Sequence, residues 1–315
     1  MSGRFISTHS VALVLPMHIA YMPDRGGSVH ADAASSRPGG GFTTLCAAAA
    51  MGVPAAAASP LGTGPNSFAV RQQLVEAGVE VLTPELVGDI GVVIQLIDED
   101  GTMRSVVTAG VESEPSRAAL ERIELCEGDL VHVAASDMTN AHAAVELSEW
   151  AAALPPFVTL VVSVSPAVAQ VPVEAWETIF PRADVVTMNS WESFALAGIL
   201  DANRHGSTIR SYLRPDAATV RRSGDQGCEL QTSADGPILP IPAFDVSIAD
   251  TAGVGDTHIA EMCAGILLGY DLETACLMAN AGAALAISHE SALPVPTRAQ
   301  VENVLETGGV TNILH

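Results

Sequence analysis

The sequence predicts an α/β fold with a mostly parallel sheet covered by helices on both faces. Three observations predict it. Short aliphatic and β-branched runs alternate with Ala-rich stretches of helical length, the pattern that strand–helix–strand crossovers require. Hydrophobic residues make up 48% of the 315 residues and charged ones only 16%, enough apolar material to bury a sheet on both sides. No internal repeat or long low-complexity tract interrupts the pattern.

Residues 5–15 are rich in aliphatic and β-branched side chains and predict a buried first strand. The apolar stretch 11–22 is broken by Pro16 and His18, is too short to span a bilayer, and has only Arg4 before it, which does not suit a signal peptide. Residues 23–41 are rich in Gly, Ser and Pro and predict a loop or hairpin region leading into Gly39, Gly40 and Gly41. Helices are expected over 43–51, stopped by Gly52 and Pro54, and over 67–77, closed by Gly78. Two runs, 90–97 and 103–108, flank a turn at 98–101 and have the signature of a hairpin. Strands are then expected at 130–134, 158–164 and 185–188, with an Ala-rich helix over 141–154 and a short helix over 191–197. Residues 219–222 lead into a glycine turn at Gly224 and Gly227, and two long helices follow over 256–268 and 272–289.

The formal net charge is −22, which argues against nucleic acid and anionic membranes as partners, since both need a basic footprint. Every basic residue is Arg; the chain contains no lysine, so a phosphate loop that depends on lysine is excluded. A polyanionic substrate must instead be held by backbone N–H groups, a metal and a few Arg side chains. The five cysteines form no C-x-x-C pair and read as reduced thiols of a cytoplasmic protein.

The run Asp250-Thr251-Ala252-Gly253-Val254-Gly255-Asp256 opens the first long C-terminal helix. Helix N-termini present unpaired N–H groups and the positive end of the helix dipole. Glycines there let the backbone approach an anion closely. Asp256 falls in the first turn, beside that anion site, where a carboxylate can take a proton from an attacking hydroxyl. Such help is worth about 10²–10⁴-fold, and each N–H aimed at developing charge contributes about 3 kcal/mol. Taken alone, the run equally suits a glycine turn with Asp256 as a capping residue.

Residues 250–265 resemble the C-terminal signature of the ribokinase-like (PfkB) carbohydrate kinases, Asp-Thr-x-Gly-Ala-Gly-Asp before a hydrophobic helix, with Val254 in the alanine place. The resemblance extends along the chain in consistent order. Gly39-Gly40-Gly41 matches the family's N-terminal di-glycine motif, Asn189-Ser190-Trp191-Glu192 its Asn-x-x-Glu motif, Ser223 to Gly227 its Gly-x-x-Gly turn, and Asn280 a recurrent Asn. The resemblance implies a three-layer α/β/α sandwich with a Rossmann-like sheet and a small β lid. The body would be 1–12, 38–85 and 109–315, and the lid 13–37 and 86–108. It implies an ATP-dependent kinase of a sugar or sugar-like acceptor. Asp256 would be the base, and Gly253, Val254 and Gly255 would join it in the anion hole. Asn189 and Glu192 would organise Mg²⁺ through its waters, in keeping with the few protein ligands that ion needs. Arg222, Gly224, Gly227, Thr251 and Asn280 would line the nucleotide side, and Gly39, Gly40, Gly41 and Thr44 the acceptor side. A monovalent cation near Asp250 and a homodimer formed through the lid are further expectations. Four residues keep two readings. Asn189 and Glu192 also suit a helix-start capping pair, Arg222 a solvated surface charge, and Asn280 a satisfied polar residue.

The acceptor half departs from the family. The first-strand Asp that holds sugar hydroxyls falls near Val14, and residues 10–15 contain no carboxylate. The Asn after the di-glycine motif falls on Thr43 or Thr44, and the usual Gly-x-Asp segment reads Gly62-Thr63-Gly64-Pro65-Asn66. His258 replaces a common Phe, as a packed histidine or a substrate contact, and Glu261 replaces a common Gly. A nucleoside or other non-standard alcohol is therefore an alternative acceptor, and a catalytically weak ligand-binding sensor an alternative function.

Overall fold

The computed structural model describes residues 3–99, 103–289 and 295–310. The apolar start of the chain is two strands, not one. β1 (Phe5–Ser7) is fully buried in the main sheet, and β2 (Val11–Ile19) begins a second, smaller sheet. The backbone shows where the chain changes partners. Thr8 N donates to His132 O beside β1, whereas Leu13 N donates to Gly91 O of the other sheet. The change falls on the polar run Ser7-Thr8-His9-Ser10, between two segments that both carry apolar side chains.

β3 (Ala31–Ala34) and β4 (Arg37–Gly40) return along one edge of β2, and α1 (Gly41–Ala50) follows directly. β5 (Ala55–Ala57), α2 (Pro65–Glu76) and β6 (Val79–Val81) come next. The hairpin forms as β7 (Val92–Ile97) and β8 (Met103–Thr108); Asp100 and Gly101 of its expected turn lie outside the described residues. A short α3 (Arg117–Leu120) leads to β9 (Leu130–Ala134), α4 (Ala141–Ala152), β10 (Thr159–Ser163), α5 (Val173–Ile179) and β11 (Val185–Asn189). Then come α6 (Ser190–Asn203), α7 (Ile209–Tyr212), β12 (Ala218–Arg222), β13 (Cys228–Gln231) and β14 (Leu239–Ile241). The chain closes with α8 (Val254–Leu267), α9 (Leu272–Ile287) and α10 (Arg298–Thr307).

The helix α6 is longer than the short one expected at 191–197. Gly198 reads as a stop, but it lies on the exposed side, while Leu196 and Leu200 carry the buried stripe onward. β5 is missed in the sequence because three alanines carry no strand preference; their burial between β1 and β6 makes them a strand.

The main sheet has nine strands in the order β14-β13-β12-β11-β10-β9-β1-β5-β6. The seven from β12 to β6 are parallel, and β13 and β14 add an antiparallel edge. Alternate strand residues point to opposite layers. Phe5, Leu130, Val161 and Val185 pack with α1, α2, α8, α9 and α10. Ile6, Val131, Val162 and Val186 pack with α3, α4, α5 and α6. This is the three-layer α/β/α sandwich. The smaller sheet runs β3-β2-β7-β8, with β4 also on β2.

Strand order reverses at β1: the chain proceeds from β1 to β5 on one side and later resumes with β9 on the other. Open α/β sheets bind ligands outside the carboxyl ends of the strands at such a reversal. The segments leaving β1 and β9 are residues 8–10 and the short helix Ala135–Met138. All five cysteines are free, and only Cys126 is exposed. No helix among the described residues is long and apolar enough to cross a membrane.

Candidate active site

The start of α8 lies beside the strand reversal. Gly253 caps the helix at φ 73, a left-handed conformation that glycine adopts without strain. The first intrahelical bond is Thr257 N to Gly253 O at 2.9 Å. The N–H groups of Gly255 and Asp256 precede it and remain as first-turn donors. Asp256 points its carboxylate into this corner with its side chain 27% exposed.

Two cations flank that carboxylate. His9 Nε2 stands 3.7 Å from Asp256 Oδ1. Arg222, at the end of β12, also acts on Asp256 electrostatically. Burial raises the Asp256 pKa, and His9 and Arg222 pull against it. The Thr44 hydroxyl, in the first turn of α1, also acts on Asp256. It is buried and has no hydrogen-bond partner among the described residues.

Arg222 is not a solvated surface charge. Its side chain is 15% exposed, Nη2 lies 3.2 Å from Glu192 Oε2, and its buried Nε has no hydrogen-bond partner among the described residues. A Cβ on Gly255 would come 2.7 Å from Arg222 Nη1, so the glycine is what lets the guanidinium lie across the helix start. Asn189 and Glu192 form a reciprocal capping box on α6. Glu192 N donates to Asn189 Oδ1, and Asn189 N donates to Glu192 Oε2, both at 2.7 Å. Burial raises the Glu192 pKa, opposed by the Asn189 N–H and by Arg222. The capping reading of this pair thus holds geometrically, and the same carboxylate also reaches Arg222.

The profile of the pfkB family carbohydrate kinases matches residues 10–298. The chain belongs to that family. It is accordingly a carbohydrate phosphotransferase. It is 26% identical to YegV of Escherichia coli K12, called an uncharacterized sugar kinase, over 89% of this chain and 87% of that one. It is 27% identical to an ATP-dependent ribose-1-phosphate kinase of Halopiger xanaduensis, over 93% of this chain and 95% of that one. A ribokinase from Thermotoga maritima has the same fold, with a TM-score of 0.80 at 19% identity, covering 97% of this chain and all of that one.

The other motif residues of this pfkB kinase divide into two groups. Gly224 has nothing within 4 Å of a would-be Cβ and lies open beside the end of β12. Gly227 is packed instead: its Cβ position lies 2.2 Å from Ile241 O of β14. Thr251 and Ala252 are exposed before the helix, and Asp250 Oδ1 accepts Ala252 N at 2.9 Å. Among the described residues, no group of three or more His, Cys, Asp or Glu side chains is placed to hold a metal. Asn280 is fully used inside the chain. Its Nδ2 donates to Ile241 O and Pro242 O, at 3.1 and 3.0 Å, and its Oδ1 lies 3.1 Å from His258 Nε2. Both side chains are buried and tie α8 and α9 to the end of β14.

Two carboxylates that the motifs lack locally are supplied from a distance. Asp137, after β9, accepts from Ser10 N and Ser10 Oγ, the latter at 2.6 Å, and meets His9 Nδ1 at 3.3 Å. Asp89, ahead of β7, accepts Asn66 N at 3.0 Å and Ser67 N at 2.7 Å, capping α2 where the usual local Asp is absent. Neither role is recognisable in sequence, since the residues named here lie 22 or more positions from the carboxylate. The glycine run curls over the same corner. Gly41 N donates to Ser10 O at 2.9 Å, and a Cβ on Gly41 would stand 2.0 Å from His9 O.

Proposed function

We propose that this chain is an ATP-dependent kinase that transfers the γ-phosphoryl group to a hydroxyl of a sugar or sugar-like acceptor. The observation that carries the reading is the corner at the start of α8. There a partly buried carboxylate, facing His9, stands next to the first-turn N–H groups of the helix, the buried Thr44 hydroxyl and a buried Arg222. The ATP dependence of the Halopiger relative agrees with it.

In this reading Asp256 takes the proton as the acceptor oxygen forms its bond to the γ-phosphorus and the bond to the leaving diphosphate oxygen breaks. The first-turn N–H groups and Gly253 accommodate the charge on the transferred group. Arg222 offers its orphaned Nε and its fork to phosphate oxygens, a planar match that lysine would not give. Gly224 leaves room for the nucleotide beside β12. Glu192 and Asn189 fit Mg²⁺ only in an outer role, because one Glu192 oxygen already serves Asn189 N and Arg222. The ion would be held mainly by nucleotide phosphates and water, and there it would neutralise charge on the transferred phosphate. Thr44 and the glycine run line the acceptor side, where the two sheets meet.

The deciding experiment is ATP turnover across neutral sugars, sugar phosphates and nucleosides. A phosphorylated sugar product is the expected result. Tight ligand binding with no product from any acceptor would favour a sensor, and a nucleoside as sole acceptor would move the substrate class.

The smaller sheet supplies the lid and a dimer surface. On its edge strand β8 the neighbours Val106 and Val107 point to opposite faces, yet are 57% and 67% exposed. Lid closure covers one face, and a second copy of the chain covers the other. Sedimentation equilibrium is expected to give a dimer that Val106→Glu/Val107→Glu converts to monomer. A wild-type monomer at all micromolar concentrations would remove the interface. Five unpaired thiols and the use of ATP support a cytoplasmic enzyme.

A further inference from the structure

We propose that His9 is a positioning residue for phosphoryl transfer: gripped through Nδ1 by Asp137, its imidazolium holds the Asp256 carboxylate in place through Nε2. The proposal rests on the reading of Asp256 as the base.

The geometry comes from three separate parts of the chain. His9 lies in the three-residue passage between β1 and β2, where the chain leaves the large sheet for the small one. Its backbone is fixed, since His9 N donates to Ser7 Oγ at 3.1 Å and its carbonyl lies under Gly41. Its ring is fixed as well. Asp137 Oδ2 stands 3.3 Å from Nδ1, and Asp256 Oδ1 stands 3.7 Å from Nε2, an ion-pair distance. Asp137 is in turn anchored by the Ser10 amide and hydroxyl. The sequence Ser10–Asp137–His9–Asp256 thus connects the carboxyl end of β9, the entry to the lid and the first turn of α8.

The charges around His9 decide its state. Asp137 faces it from the helix after β9, Asp256 from α8, and His132 from β9 with its ring edge-on at 6.2 Å. Arg222 also acts on Asp256. Burial works against a charge on His9, but Asp137 and Asp256 outweigh it and push its pKa up to about 9. His132 goes the other way. Burial and the neighbouring His9 push it down to about 3, and its two nitrogens lie 3.0 and 2.9 Å from Ser7 Oγ and Ser163 Oγ. Of the two histidines, His9 therefore carries the proton at neutral pH. An imidazolium there offsets the burial of Asp256 and keeps it ionised, while taking no part in bond making or breaking.

The test compares pH profiles of kcat/KM for the wild type and His9→Gln, with Asp256→Asn as control. The glutamine keeps a donor for Asp137 but loses the charge. A kcat about 10- to 100-fold lower is expected, as for a displaced catalytic group. The acid limb should move up by about one pH unit, the size of effect an opposite charge exerts at this range. His9→Arg should restore much of the limb. An inactive Asp256→Asn together with an unmoved acid limb in His9→Gln overturns the proposal alone. A fully active Asp256→Asn overturns both the base assignment and the proposal. A second measurement needs no turnover: imidazole nitrogen NMR of the full chain, with His9 identified by its loss in His9→Gln. Titration near 9, falling in Asp137→Asn, is expected. Titration of His9 at or below the ordinary histidine value in the wild type would sink the idea.

Discussion

Asp256→Asn is expected to lower kcat by at least about 10²-fold, and up to about 10⁴-fold, with ATP affinity little changed. The substitution is isosteric, so the helix start, Arg222 and the Thr44 hydroxyl keep their places. What it removes is the ability to take the acceptor proton. Rapid-quench single turnovers with calorimetric ATP binding separate the two effects. An unchanged single-turnover rate would mean that the carboxylate only caps the helix. The pH dependence has a definite sign. A general base works ionised, and burial raises the Asp256 pKa despite His9 and Arg222. The acid limb of kcat/KM should therefore lie above the value of about 3.9 for a free aspartate, and activity should fall as pH drops through it.

The parts of the molecule that were legible in sequence are those where one short segment carries its own reason. The glycine turn before α8, the Asn189–Glu192 pair before α6 and the hairpin of β7 and β8 each combine backbone and side-chain signals within a few residues. The corner at the start of α8 was therefore readable as a candidate site, and the three-layer fold was readable too, since alternating apolar strands and Ala-rich helices repeat through most of the chain. What stayed hidden depends on contacts between distant segments. Asp137 looks like any acidic residue after a strand until the fold brings it 128 positions back to His9. Asp89 caps α2 from 22 residues downstream. The break between β1 and β2 is marked only by the polar run Ser7-Thr8-His9-Ser10, which does not say that the chain changes sheets. Arg222 looked equally suited to solvent, and only Glu192 and Gly255 show why it is buried. Asn280 shows the reverse: its motif position suggested a ligand, and its hydrogen bonds are used up by Ile241, Pro242 and His258.

Glu261 and Gly282 should prove to be an interlocked pair, with the second-largest effect expected for any substitution here. Glu261 is 0% exposed on α8, and neither carboxylate oxygen has a hydrogen-bond partner among the described residues. Gly282 on α9 makes the space: a Cβ there would lie 1.6 Å from Glu261 Oε2. Gly282→Ala must push the carboxyl into a closed core, and overpacking of this kind costs about 1–3 kcal/mol. Glu261→Ala empties the same space, so the double variant should recover much of that loss. Guanidinium melts of the four proteins in this cycle give the coupling; strictly additive effects would show that the two helices do not share the space. The pH dependence follows from burial, which raises the Glu261 pKa well above its ordinary value. The folded state then holds a proton that the unfolded chain releases. Its contribution to stability is full below the unfolded pKa of about 4.3 and is lost as pH rises toward the folded one. Glu261→Gln cannot titrate, so it should gain on the wild type as pH rises, by about 1–3 kcal/mol near neutrality. A difference between the two that did not vary with pH would mean that solvent reaches the carboxylate.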